Sequence, residues 1–230
     1  MRTCLLALLA SSTLVPPANA ATRNFGVESF TKIRVDGPFK VNLATGVAPY
    51  ARASGSPAAI DRVAIDVRGD TLVISSAQSW GGYPGQDPGP VEISVGTHDL
   101  SSAWLNGAGG LVIDRVKGLS FSLWIQGSGA GEIGNVAADQ MSVNAVGSAN
   151  VRLAGHAGKL TALIRGISSL DARGLTTPSA AISADGTATI DATVTDTARI
   201  DAWGPATIRL AGHPSCTVKV TGSASVSGCR

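Results

Sequence analysis

The chain has 230 residues, 15% charged and 44% apolar, with 28 glycines and a formal net charge of +2. So even a balance, with no Lys/Arg block, excludes an electrostatic nucleic-acid binder, while the apolar fraction excludes a disordered chain. Past residue 20 no stretch approaches the roughly 20 apolar residues that span a bilayer, so no membrane span is expected.

In chain order, residues 1–20 read as an export signal. Arg2 supplies the basic end, Cys4 to Ala10 with Leu14 and Val15 the apolar stretch, and Ala18-Asn19-Ala20 the cleavage site. The remainder, 21–230, is expected to form one exported domain in the periplasm, at the cell surface or secreted. Ile33, Val35, Gly37, Val41 and Leu43 alternate about a glycine. A less regular, strand-rich part follows over about 44–100. In it, Ala64 to Val67 and Thr71 to Ile74 flank Arg68-Gly69-Asp70, which reads as a hairpin turn rather than an integrin-type tripeptide. Gly81 to Pro90 is a Gly/Pro-rich loop, and Val91 to Val95 a returning strand.

From about 101 to 230 one phrase recurs, beginning at Gly107, Gly127, Gly147, Gly166, Gly186, Gly204 and Gly222, with spacings of 20, 20, 19, 20, 18 and 18. A fixed period of this size predicts a solenoid, one coil per repeat. Six, four and two residues before successive glycines stand Phe121, Leu123 and Ile125, then Met141, Val143 and Ala145, then Leu160, Ala162 and Ile164. Alternation with period 2 predicts strands buried on one face. The apolar residue four places after the glycine (Leu111, Val151, Leu170, Ile190) is missing from the second phrase, where Ile133 comes two places late; this predicts a bulge or longer corner at Gly129-Ala130-Gly131. The expected fold is all-β, a single-stranded parallel β-helix of 18–20 residues per coil with a right-handed hand, each coil holding two or three short strands. A left-handed hexapeptide helix would need an invariant 18-residue coil, and the leucine-rich-repeat frame is missing.

The opening Phe30 to Leu43 (FTKIRVDGPFKVNL), the following Ile65 to Ser75 (IDVRGDTLVIS) and the GSG-like corners from Gly107 to Gly222 resemble the auto-transporter adhesin head domain, also called the GIN domain. The resemblance covers nearly all of 21–230. It implies an exported β-helical protein of bacterial envelopes with a role in adhesion, and it carries no catalytic residues over. Because the chain stops at Arg230, no C-terminal membrane barrel is expected.

Subtracting the inward positions leaves two outward columns of interest. Trp104 and Trp124 each lie three residues before a glycine in adjacent coils, so stacking would bring them about 5 Å apart as a ladder able to meet sugar rings or a partner chain. The alternative is that the loop at 81–90, with Tyr83, folds over them. Arg152, Asp171, Asp191 and Arg209 each lie five residues after a glycine in successive coils. The two carboxylates could hold a cation or act as acid and base in a polysaccharide-cleaving enzyme; the structural alternative is that the arginines neutralise them. Cys216 and Cys229 are expected to form a disulfide closing the last coil. No metal centre and no cofactor is expected. His156 and His213 end a repeated LAGH phrase too far apart, on the order of 14 Å, to share a metal. Three readings follow: a noncatalytic binding protein for a glycan or another cell-surface or envelope component, a polysaccharide-active enzyme, and a structural protein that self-associates as a homo-oligomer.

Overall fold

The structure, a computed structural model, describes residues 21–77 and 89–230. Residues 1–20, expected to be an export signal, and most of the Gly/Pro-rich loop, including Tyr83, lie outside the described residues. The N-terminal part consists of β1 (Ala21–Phe25), β2 (Lys32–Asp36), β3 (Lys40–Thr45), β4 (Tyr50–Gly55), a short helix α1 (Pro57–Ile60), β5 (Val63–Arg68), β6 (Thr71–Ser76) and β7 (Val91–Thr97). The regular part consists of β8 (Ser102–Gly107), β9 (Gly110–Gly127), β10 (Ala130–Gly147), β11 (Asn150–Gly166), β12 (Ser169–Gly186) and β13 (Thr189–Trp203). β14 (Thr207–Ala211), β15 (Ser215–Thr221) and β16 (Ser225–Ser227) close the chain.

The fold is the expected all-β parallel β-helix, of about six turns. It differs from the expectation in how a coil is made. β9, β10 and β12 are each 18 residues long, so the ladder continues around the corners instead of breaking into short strands. Neither the bulge nor the longer corner expected at Gly129-Ala130-Gly131 is there. Gly131 pairs with Leu111 and Val151, in the place of the missing aliphatic residue, and Ile133 pairs with Ile113 and Leu153. Ile125 fills the vacancy, its Cδ1 lying 2.6 Å from where a Cβ on Gly131 would be. Register slips instead occur further along, between Ile133 and Val136 and between Arg152 and Ala154. The drift in coil length is thus absorbed at a later corner.

The recurring glycine has two causes. Gly107, Gly127 and Gly147 adopt φ of 114°, 117° and 114°, a region that side chains with a Cβ rarely enter. Their α-carbons also stack closely: a Cβ on Gly127 would lie 2.6 Å from the Gly107 carbonyl oxygen, and one on Gly147 would lie 2.5 Å from that of Gly127. Before each glycine, the inward residues form solid apolar columns; Val143, Ala145, Leu160 and Ile164 have no exposed surface. Each buried Leu or Ile contributes about 1.5–3 kcal/mol, and only stacking can bury it, so neighbouring coils stabilise one another.

At the N-terminal end the chain order departs from a simple spiral. β2 lies between β6 and β8, parallel to both, and β3 lies between β7 and β9, also parallel to both. The excursion through residues 50–97 therefore folds outside the first coil and covers it. β4 pairs antiparallel with β7, and β1 antiparallel with β4, forming a lid over the end of the apolar column. The Arg68-Gly69-Asp70 turn is a hairpin as expected, with Arg68 paired to Thr71 and Gly69 at φ 64°. Asp70 is held to Lys32 at 2.9 Å, tying the turn to the first coil. The opposite end is barer. β15 pairs with β13 and β16 with β14, and the inward-phase Val218 and Val220 of the last coil are each 43% exposed.

Candidate functional site

Trp104 and Trp124 are direct ladder partners on β8 and β9. Their ring centroids lie 4.9 Å apart with planes only 4° from parallel. Parallel planes at that centroid separation form an offset stack, because carbon atoms need about 3.5 Å between the planes. Each ring therefore covers one face of the other, and both are half-buried. This is the stacked ladder expected from the spacing, and the contact between the two rings takes one face of each away from any ligand. Arg34 is the next rung beyond Trp104, and Asn144 the next beyond Trp124. Two residues along the same outer face run Asp36, Asn106 and Gln126, with the Asn106 amide donating to Asp36 at 2.6 Å. The Arg34 guanidinium is held by the same carboxylate, its Nε lying 2.9 Å from Asp36 Oδ2. The surroundings of the indoles are thus polar and mostly uncharged on the Trp124 side.

Arg152, Asp171, Asp191 and Arg209 do stack in successive coils. The column is one rung longer than the four, since Glu132 pairs with Arg152 in register and approaches it to 4.0 Å. Asp191 is bound by Arg209 at 3.1 Å. Asp171 takes its main partner from outside the column. Arg173, two residues on along the strand, donates to both carboxylate oxygens, at 2.8 and 2.7 Å, while Arg152 stays at 3.9 Å. These bonds from Arg173 hold the Asp171 carboxyl down to about 2, and the same contact pushes the Arg173 guanidinium up. Both carboxylates are thus committed to arginines, which is the behaviour of a structural ladder. Beside Glu132, Arg152 and Asp171 a shallow depression of about 260 Å³ runs over Gly110, Ala130, Asn150 and Ser169. Its floor is made of small residues in one column, and the Ser169 hydroxyl donates to Asn150 at 2.7 Å.

Cys216 and Cys229 are joined in a disulfide that loops residue 229 back onto the start of β15. His156 and His213 each follow a corner glycine of positive φ, Gly155 and Gly212. Among the described residues no three His, Cys, Asp or Glu side chains cluster in a way that could hold a metal ion.

The comparisons agree with this architecture. The family model described as "Putative auto-transporter adhesin, head GIN domain" matches residues 29–214, most of the chain. The chain belongs to this family. No curated protein matches this GIN domain closely enough to count as a relative. Among solved structures, a "putative adhesin" from Bacteroides fragilis aligns with a TM-score of 0.82 at 18% identity, covering 92% of this chain and 97% of its own. A "putative adhesin" from Parabacteroides merdae aligns at 0.71 and 17%, covering 91% and 96%. A "putative lipid binding protein" from Parabacteroides distasonis aligns at 0.69 and 17%, also covering 91% and 96%. At such identities the likeness shows a shared fold and no more. The last coil, β15 and β16 with its disulfide, lies beyond the residues that the family model matches.

Two residues that matter here carried little sequence signal. Arg173 lies two residues beyond the ladder column on the same side of the strand as Asp171, where stacking along the column gives no hint of it. Asn144 follows Trp124 in the same outward column, but an Asn attracts no attention until the orientation of the indoles is known.

Proposed function

We propose that this GIN domain is an exported, noncatalytic binding module that holds a carbohydrate or another cell-surface or envelope component on the outer β-face around Trp104 and Trp124. The observation that carries the reading is the parallel, half-buried indole pair, 4.9 Å apart, set among Asn106, Gln126 and Asn144. Indole surface beside uncharged amides supports the recognition of hydroxylated rings, through apolar contact and hydrogen bonds together. Export is supported by membership of a family described as adhesins, by the disulfide, and by the leader-like first 20 residues. No helix among the described residues is long and apolar enough to cross a membrane. The enzymatic alternative is weakened by the charge ladder itself. A general acid must hold a proton near neutral pH, and the Asp171 carboxyl, held at about 2, does not.

The test is binding of the protein to an array of glycans and purified envelope polymers, compared with Trp104→Ala/Trp124→Ala. The double variant is expected to lose binding while keeping its β-sheet circular dichroism. Equal binding by the two proteins would remove the tryptophan face from the site.

A further inference from the structure

The depression beside the charge ladder begins on the same two coils as the tryptophan pair. Trp104 and Gly110 are six residues apart on one coil, and Trp124 and Ala130 six apart on the next, with the corner glycines Gly107 and Gly127 between them. Gly110 is the ladder partner of Ala130 as Trp104 is of Trp124. Past these glycines, each corner carries nothing larger than Ala108 or Ser128 before the depression begins. Later coils differ. Ile167, at the equivalent place, is 71% exposed, and the next two corners carry Thr187 and Pro205. The way from the indoles over the corner is therefore low on these coils and obstructed further along.

The depression exists because two coils break the repeat. Three residues after the corner glycine, later coils hold Asn150, Ser169, Thr189 and Thr207, whereas these two hold Gly110 and Ala130. Lowering that column opens about 260 Å³ against the column two residues on, which holds Val112, Glu132, Arg152 and Asp171. The rung before Gly110 is Lys40, whose own neighbour on the far side is Glu92. The volume lies below the roughly 300–1,000 Å³ of sites for drug-sized ligands, and suits a single saturated ring. Val112, 44% exposed, offers that ring apolar surface. Arg152 approaches Glu132 only to 4.0 Å and Asp171 only to 3.9 Å, both beyond hydrogen-bond reach. Glu132 has no other ion pair among the described residues, and Asp171 is held by Arg173. One ligand hydroxyl can thus donate to Glu132 and its neighbour accept from Arg152, with no hydrogen bond inside the protein given up. Glu132 and Asp171 balance Arg152 and Arg173 in charge, which matches an uncharged ligand.

We propose that one linear, uncharged oligosaccharide crosses the glycine corner, with one end against the indoles of Trp104 and Trp124 and a further ring seated in the depression, its neighbouring hydroxyls on Glu132 and Arg152. The proposal rests on the carbohydrate reading of the tryptophan face and extends it to a second subsite and a minimum length. Six residues of chain place Trp124 and Ala130 no more than about 20 Å apart, a distance that about four pyranose rings cover.

The experiment titrates the protein with malto-, cello- and mannooligosaccharides of increasing length, from one unit to about six, read by calorimetry and tryptophan fluorescence. Wild type is expected to saturate with at least one series and to gain roughly tenfold or more in affinity between two units and four. Ala130→Tyr fills the depression from an exposed position and leaves both tryptophans in place, so it is expected to keep the two-unit affinity and lose the gain. Arg152→Gln, which adds no bulk, is expected to lose most of the gain as well. Thermal unfolding of each variant confirms the fold. A gain with length that survives in both variants overturns the second subsite and leaves the tryptophan-face reading standing. Loss of all binding in Ala130→Tyr, together with full binding by Trp104→Ala/Trp124→Ala, overturns the shared path and the tryptophan face with it. Binding retained at every length by every variant overturns both. Equal affinity of wild type for all lengths, or no saturation by any of the three series, overturns the second subsite.

Discussion

Replacing Gly147 with alanine tests why the glycine recurs. Where alanine can adopt the native backbone angles without strain, Gly→Ala stabilises a protein by about 0.4–1 kcal/mol, because the unfolded chain loses freedom. At Gly147 the sign should reverse. Its φ of 114° is one that a residue with a Cβ adopts at a cost of about 1–3 kcal/mol. The added carbon would also sit 2.5 Å from the Gly127 carbonyl oxygen. That oxygen cannot simply retreat, because it accepts the Ser148 backbone N–H at 2.8 Å. Moving it to an ordinary separation costs a further 1–3 kcal/mol or so, as overpacking does. The net expectation is a loss of roughly 2–4 kcal/mol, a fall in melting temperature on the order of 10 °C for a chain of this size. Gly110→Ala is the control, since a Cβ there meets no heavy atom within 4 Å and its φ is ordinary. It should melt at or slightly above wild type. Thermal and urea unfolding followed by far-ultraviolet circular dichroism decide the matter. If Gly147→Ala is as stable as Gly110→Ala, the stacked-glycine explanation of the repeat is wrong.

Two further outcomes are expected. The disulfide closes a loop of sequence separation 13, worth about 3 kcal/mol in chain entropy, and the coil that it closes rests on a single neighbour. Cys216→Ser/Cys229→Ser should therefore fray β15 and β16 locally: amide exchange should speed up over residues 215–227 and stay slow in β11 and β12, whereas a uniform change would contradict the one-coil view. The Asp171 carboxyl lies below its ordinary 3.8, at about 2, chiefly through Arg173. The stability that it lends is present above the ordinary value and is lost as pH falls through about 2. Arg173→Gln should return the carboxyl towards 3.8 in an NMR titration and flatten that acid limb; a carboxyl still near 2 would pass the credit to Arg152.

The coil was legible because its causes are local and repeated. Alternation fixes which face is buried, and a positive-φ corner that also stacks on itself accepts only glycine, so residues such as Leu123, Ile164 and Gly147 announce their places. The N-terminal lid was less legible. β1 and β4 carry short, weakly apolar segments such as ATRNF, and what makes them strands is the pairing of β4 with β7 far along the chain and of β1 with β4. Gly131 misled because a missing side chain can be replaced by a neighbour, here Ile125, instead of by a change of path. For the surface, the spacing of Trp104 and Trp124 correctly placed the two rings together. It carried no information on whether they present faces or edges, since that depends on side-chain rotation. The charge ladder was likewise legible as a column, but Arg173 reaches Asp171 along its own strand, in a direction that stacking arguments ignore.

The inserted first coil sets an order of events for assembly. Asp36 on β2 meets its β8 partner Asn106 across 70 residues of chain, whereas Thr193 reaches the preceding coil across only 20. Closing the longer loop costs roughly 1 kcal/mol more in chain entropy before any contact compensates it. A chain emerging from its N-terminus would hold β2 and β3 unpaired until residues 71–97 had followed, and could wind the later coils one after another as they appeared. The lid strands β1, β4 and β7 all precede the regular coils, so the lid could shut first and the rod would then grow from it towards the C-terminal end.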